Sequence, residues 1–370
     1  MNTEVMQGLA SITQALYQAH AQSFSHTRER KWVGWEQLLD RLSKRECASA
    51  SRRGSLSVCD IASGNMRFLE FLLHERGQEE ANAKGTGATQ AEANAKGTKT
   101  NGEETLQSAA HAGIPFLAYR GIDYVGCDKE AALQELGCTR VNSLLSPLDS
   151  CHIVQADLIE RARKNECLLP CSDASLASCL ASSANAYTHT APAHTAPAPV
   201  HTAEISEITQ ARRNYHIPTR FDLVVSFGFM HHIAGYELRR RFIEKLLKLT
   251  SPTGVCVLSL WRFAEDPRAR EKAMRETKEN LSALKAGTLH GAEAFTLTQC
   301  KKIEDSLEKG DFLLSWQGQA GYGRYCHSFS DREIDTIVRD LPSSYRLLDR
   351  FCADGKNGCM NCYLILVRRV

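Results

Sequence analysis

The chain has 370 residues, 43% of them hydrophobic and 24% charged, with 45 basic and 43 acidic side chains and a formal net charge of +2. These values exclude a collagen-like, wholly disordered or coiled-coil chain and a uniformly basic, histone-like one. They leave room for a local basic surface that meets nucleic acid. No apolar run reaches the ~18–20 residues of a membrane span, and Met1-Asn2-Thr3-Glu4 lacks the basic and apolar regions of a signal peptide, so a cytoplasmic protein without a membrane partner is expected.

In chain order, residues 1–55 read as an N-terminal helical segment and 56–370 as the main domain. Leu56-Ser-Val-Cys-Asp60 is a short strand ending in an acid, followed by a glycine-bearing turn and a helix from Met66 to His74. Residues 78–112 contain an imperfect repeat, Glu80 to Thr86 and again Glu92 to Thr98. The unit is too short and polar for a solenoid, so a disordered surface insertion is expected. Phe116 to Asp123 reads as a second strand, also ending in an acid, and Cys151 to Asp157 as a third. Residues 172–210, rich in Ser, Ala, Thr, His and Pro, form a second insertion that cannot bury enough apolar surface to offset chain entropy. Phe221 to Phe227 is the fourth strand, a helix spans Tyr236 to Leu249, and Pro252-Thr-Gly254 turns into the fifth strand, Val255 to Trp261. Another insertion is expected at about 264–325, then a helix from Asp331 to Asp340. Tyr345 to Ala353 and Asn361 to Arg368 flank Asp354-Gly-Lys-Asn-Gly358 as an antiparallel hairpin.

Near-continuous apolar strands separated by helices mark an α/β fold, a mostly parallel sheet of seven strands with helices on both faces. Fourteen cysteines are scattered through it, many in apolar runs, and read as reduced, buried small hydrophobes. Cys352 and the pair Cys359-Met-Asn-Cys362 lack the second C-x-x-C of a usual zinc site, so hairpin residues are expected there and no metal.

Ligands of open parallel sheets sit beyond the carboxyl ends of the strands. Four such ends offer polar groups here: Asp60-Ile-Ala-Ser-Gly-Asn-Met-Arg67, Asp123, Asp157, and Gly228 with His231 and His232. A carboxylate accepting two hydrogen bonds suits a ribose diol, which Asp123 is placed to meet. Asp157 could accept from an adenine amino group, and Gly64 would admit a close backbone approach. The G-x-G-x-x-G dinucleotide fingerprint is absent, which argues against a nicotinamide enzyme.

This order resembles the class I S-adenosylmethionine-dependent methyltransferases, with Ala62 and Met66 where that family's loop has glycines. Three further segments sharpen the likeness: Phe24-Ser-His-Thr-Arg28 with Trp32 and Trp35, Met230-His-His232 after the fourth strand, and Asp311 to Trp316 followed by Arg324-Tyr-Cys-His-Ser-Phe329. Together they are similar to the tRNA methyltransferases that esterify the carboxymethyl group of wobble uridine. Departures fall at Ser315, where that family has Pro, at Cys326, where it has Tyr, and in the Asp354–Gly358 turn. The resemblance implies a Rossmann-like class I methyltransferase fold, S-adenosyl-L-methionine as cofactor, tRNA as partner, a small activating protein, and a substrate-side role for the 264–325 insertion. It implies cofactor contacts from Asp60, Ala62, Gly64, Asn65, Asp123, Asp157, Leu158, Phe227 and His231. It also selects Arg28, Arg324 and His327 as catalytic holders of the acceptor carboxylate, and Tyr325 or Trp316 as a platform for an extruded base.

Each set has a structural reading as well. Trp32 and Trp35 would staple the N-terminal helix to the sheet, and His231 and His232 would be one packed and one solvent-facing residue. Arg239 to Arg241 and Arg262 to Lys278 would be a solvated helix face. Two other functions stay open: a small-molecule O- or N-methyltransferase of the same fold, and a non-catalytic RNA-binding relative.

Overall fold

The computed structural model describes residues 1–26, 30–43, 55–78, 119, 121–146, 149–169 and 218–369. Arg28 and nearly all of the two expected insertions, 78–112 and 172–210, lie outside them. Helices α1 (Thr3–His26) and α2 (Val33–Ser43) precede strand β1 (Ser55–Ile61), and helix α3 over residues 67–78 follows it. Then come β2 (Gly121–Asp128), α4 (Ala131–Val141), β3 (Ser150–Gln155) and the one-and-a-half-turn α5 (Leu158–Arg163). β4 (Phe221–Ser226), α6 (Tyr236–Leu249) and the long β5 (Thr250–Trp261) complete the parallel core. An insertion of α7 (Pro267–Lys285), α8 (Leu297–Ser306), β6 (Asp311–Trp316) and β7 (Gln319–His327) leads to α9 (Asp331–Arg339) and the final hairpin, β8 (Tyr345–Ala353) and β9 (Asn361–Arg368).

The main sheet runs β3-β2-β1-β4-β5-β9-β8. All neighbours through β5 pair in parallel, and β9 is antiparallel to both β5 and β8. This is the strand order of the Rossmann-like class I methyltransferase fold, with the expected C-terminal antiparallel hairpin. The order reverses between β1 and β4, where the crossovers part and leave a crevice at the strand ends. Alternation along β1 serves both faces: Cys59 and Ile61 join one core with α6 and α9, while Leu56 and Val58 join the other with α2 and α3.

One strand differs from the sequence reading. β2 runs from Gly121 to Asp128, so Asp123 lies near its start rather than at its end, and Asp123 accepts a hydrogen bond from Ser150 Oγ at 2.8 Å. The strand continues because Tyr124, Val125 and Cys127 are buried in the two cores, pairing in register with Val58, Cys59 and Ile61. The acid at the end of β2 is Asp128.

The insertion builds a small second layer. A two-stranded sheet carries two open edges, and its backbone groups need partners. α7 supplies them for β6: Thr277 Oγ1 accepts from the Leu313 amide (3.1 Å), Asn280 Nδ2 donates to the Leu313 carbonyl (2.9 Å), and Glu276 accepts from the Ser315 amide (3.1 Å). α1 serves β7, with Thr13 Oγ1 accepting from the Tyr325 amide at 3.0 Å. Val5, Leu9 and Ile12 of α1 pack with Leu289, Leu313 and Tyr325, so the N-terminal helix and the insertion share a core. Among the described residues no helix is long and apolar enough to cross a membrane.

Candidate active site

A cavity of about 650 Å³ opens at the carboxyl ends of β1, β2 and β4. Asp60, Ala62, Gly64, Asn65, Asp157, Leu158, Phe227 and His231 all line it, as do Asp128, Arg67, Tyr17, His232 and Trp261. Its floor is the loop after β1. The Ala62 and Ser63 amides both donate to the Cys127 carbonyl, at 2.7 and 3.1 Å, and the Gly64 amide donates to Asp128 Oδ2 at 2.9 Å. Ala62, Gly64 and Met66 have φ of 67°, 52° and 54°. Three alternate residues thus hold the left-handed conformation that glycine adopts freely and Ala or Met only with strain. The loop's shape persists although two glycines do not. A Cβ placed on Gly64 would meet no atom within 4 Å, so the bare backbone there faces open space rather than a packed neighbour.

The acids differ in their duties. Asp60 is 3% exposed and accepts from the Tyr124 hydroxyl at 2.7 Å. Burial raises its pKa to about 7, against the lowering effect of that bond. Asp128 binds the Gly64 amide through one oxygen and the Glu130 amide (3.0 Å) through the other, and the Lys129 amide also bonds the carboxylate. Burial raises the Asp128 pKa. Asp157 is the N-cap of α5: it accepts from the Glu160 amide (2.9 Å) and from Lys129 Nζ (2.7 Å). Both its oxygens are engaged, and the helix it opens begins with Leu158 at the cavity wall.

The wall above β4 is aromatic. Phe227 meets Phe68, Trp35 and Tyr363 with ring centroids 4.9–5.9 Å apart. Trp35 is buried in the core as the staple between α2 and the sheet, and Trp32 stacks on it at 5.3 Å. His231 and His232 are both buried, 5% and 9% exposed, which corrects the expectation of one solvent-facing ring. They sit in a single 3-10 turn, Met230–His232, packed against Trp261 and β7. His232 Nδ1 lies 2.9 Å from the Tyr325 carbonyl, which can only accept, so Nδ1 carries the proton. Its Nε2 then accepts from the Tyr17 hydroxyl at 2.8 Å.

The two described residues selected for the acceptor, Arg324 and His327, do not meet. Arg28 is outside the described residues. Arg324 is 7% exposed behind that wall, its guanidinium over Trp261 (5.6 Å) and Trp316 (5.5 Å), with one long bond to the Tyr17 oxygen at 3.4 Å. Its Nε is buried without a hydrogen-bond partner, and among the described residues no carboxylate lies within ion-pair distance of it. His327 is a correction. It is 1% exposed, and its Nδ1 and Nε2 are each 2.6 Å from a carboxylate, Asp311 and Glu333. Burial opposes the imidazolium, yet the two bonds outweigh it and raise the pKa. Tyr325 is likewise structural, donating to Asp311 at 2.6 Å. Trp316 is buried against Arg324 and is no platform for a base. Along β7, Arg324 and Cys326 share one face while Tyr325 and His327 share the other. Arg239, expected on a solvated face, is 1% exposed and paired with Glu333 at 3.1 Å.

Among the described residues His231, His232 and Cys326 place ligand atoms within 4.8 Å of one another. Both nitrogens of His232 are already hydrogen-bonded and the Arg324 cation lies beside Cys326, which disfavours a cation there. Cys352 and Cys362 are cross-strand partners in the hairpin, and Cys359 is exposed in its turn.

No protein-family model matches the chain, and no curated protein matches it. Among solved structures, it is similar to an S-adenosylmethionine-dependent methyltransferase from Methanosarcina mazei at 10% identity, covering 88% of this chain and 98% of that one, TM-score 0.42. It is also similar to DhpI in complex with SAH, at 10% identity over 98% of both chains, TM-score 0.43. A third is the magnesium protoporphyrin IX methyltransferase of Synechocystis PCC 6803 with bound SAH, at 12% identity over 91% of this chain and 84% of that one, TM-score 0.36.

Proposed function

We propose that the chain is an S-adenosylmethionine-dependent methyltransferase whose acceptor carries a carboxylate, the carboxymethyl group of a modified tRNA wobble uridine. The observation that carries the cofactor half is the loop after β1, where left-handed Ala62, Gly64 and Met66 hold a bare backbone against the cavity and the Gly64 amide is tied to Asp128. Such a donor set fits a nucleoside: Asp128 for a ribose diol, Leu158 and Phe227 as apolar walls for a base, and open space over Gly64. Bound there, the cofactor supplies an electrophilic methyl group on a sulfonium. A carboxylate is already ionised at neutral pH, so the chain's task is alignment and removal of water rather than proton abstraction. Trp261 and Phe227 exclude water, and the buried charge of Arg324, with no carboxylate within ion-pair distance among the described residues, draws an anion toward the Tyr17 wall.

The test pairs a calorimetric titration with S-adenosylmethionine and single-turnover transfer to tRNA bearing a carboxymethylated wobble uridine. Arg324→Met is expected to leave cofactor affinity within about twofold and to lower transfer by about 10-fold or more. Absence of cofactor binding defeats the whole reading. Binding without transfer to any tRNA defeats only the substrate half.

One observation favours the small-molecule reading. The Tyr17–His232 pair, with Nε2 free of a proton, is equipped to take one from a hydroxyl or amine acceptor, which a carboxylate does not require. Methylation that ignores added tRNA and is lost in Tyr17→Phe and His232→Gln, with S-adenosylmethionine affinity retained, selects it.

A further inference from the structure

We propose that Arg67 is the clamp for the amino-acid carboxylate of the bound cofactor, an inference that rests on the S-adenosylmethionine reading above. Among the described residues, three lysine or arginine side chains line the cavity. Lys31 is bound to Glu36 at 2.7 Å and Glu75 at 3.1 Å, and Lys129 to Asp157 at 2.7 Å. Arg67 has no carboxylate within ion-pair distance among those residues. Its Nη1 donates to the Arg30 carbonyl at 3.1 Å, and its guanidinium lies over the Trp32 and Trp35 rings, 5.5 and 5.4 Å from their centroids.

A guanidinium carries five N–H donors, of which the Arg30 carbonyl takes one. Contact with two indole faces occupies the plane of the group and leaves its edge, the geometry in which arginine meets a carboxylate with two parallel bonds. Burial, with Arg140 nearby, pulls its pKa down to about 10, as expected of a cation whose charge is not fully offset. Arg67 also opens α3, so the unpaired amides of that helix lie on the same side and favour negative charge.

The anion belongs to the cofactor rather than to the acceptor because of where Arg67 stands. It ends the loop that carries Gly64 and Asn65, at the floor of the cavity, whereas Arg324 lies behind the Tyr17 and Trp261 wall. A ligand with its ribose at Asp128 extends its other end along that loop.

The experiment titrates the full chain with S-adenosylmethionine and with its decarboxylated analogue, in wild type, Arg67→Met and Arg67→Lys. Wild type is expected to prefer the carboxylate-bearing ligand by about 10- to 100-fold. Arg67→Met collapses that preference to near unity by weakening only S-adenosylmethionine, and Arg67→Lys restores part of it. A merely structural arginine would weaken both ligands alike and leave the ratio standing, which overturns the assignment. Equal affinities in wild type overturn it as well. Wild-type protein that binds neither ligand overturns the cofactor reading, and this inference with it. If Arg67→Met does not fold, the same ratio read on Arg67→Gln decides.

Discussion

Asp60 and its bond from Tyr124 set a pH dependence. The carboxyl is buried, its pKa is raised to about 7, and it lines the cavity beside Arg67. A raised folded-state pKa means that the folded protein holds this proton more tightly than the unfolded chain. Its contribution to stability is therefore fully present below about pH 4, where both states are protonated, and is lost as pH rises toward about 7. Ligand binding runs the other way. S-adenosylmethionine carries a net positive charge, so it gains from Asp60 ionised, and affinity is expected to rise from pH 6 to pH 8. Asp60→Asn keeps an acceptor for Tyr124 and removes the titration. It should raise the melting temperature at pH 8 more than at pH 5 and flatten the affinity profile. Wild-type affinity that does not change across this range would remove Asp60 from the list of groups the ligand feels.

At the scale of elements, the order and type of the strands were legible because parallel strands buried on both faces read as unbroken apolar runs, and the core residues of β1, β4 and β5 are those runs. The position of the β2 acid was less so. Asp123 and Asp128 each follow an apolar pair, and only the start of α4 at Ala131 marks the second as the strand end. Motif letters identify a residue but not the face it occupies, and β7 alternates, so Arg324 and His327 separate across the strand. Tyr17 gave no signal at all: one aromatic residue on a helix reads as packing, and its bond to His232 comes from chain folding 215 positions apart. The buried node of His327, Asp311, Glu333, Arg239 and Tyr325 joins β6, β7, α6 and α9. Removing one member leaves buried charge uncompensated, which typically costs about 3–5 kcal/mol. His327→Ala is therefore expected to lose stability in denaturant titration while S-adenosylmethionine affinity of the folded fraction stays unchanged. Wild-type stability with lost transfer would return His327 to the acceptor site.

The whole molecule has two kinds of core. The sheet and its helices hold the floor of the cavity, with Asp60, the loop after β1 and Asp128. The wall with Tyr17 belongs to α1, which is held through Val5, Leu9 and Ile12 to the insertion, while Met6 packs on the sheet core and Ser25 accepts from Asn65 of the floor loop at 2.7 Å. The acceptor wall thus rests mainly on the second core, and a cavity there should loosen it more than the cofactor floor. Ile12 is fully buried among Leu313, Leu289 and Tyr325. Ile12→Ala removes about three carbons from that contact and is expected to cost about 2–5 kcal/mol, depending on how far the neighbours close in. Thr13, one residue on, satisfies the Tyr325 amide, so loss of α1 exposes the edge of β7. Hydrogen exchange read peptide by peptide distinguishes the possibilities. Faster exchange in α1, β6 and β7, with β1, β2 and β4 holding their protection and S-adenosylmethionine affinity retained, fits two partly independent units. Equal loss of protection across all strands would show a single cooperative unit, in which the acceptor wall cannot move without the cofactor floor.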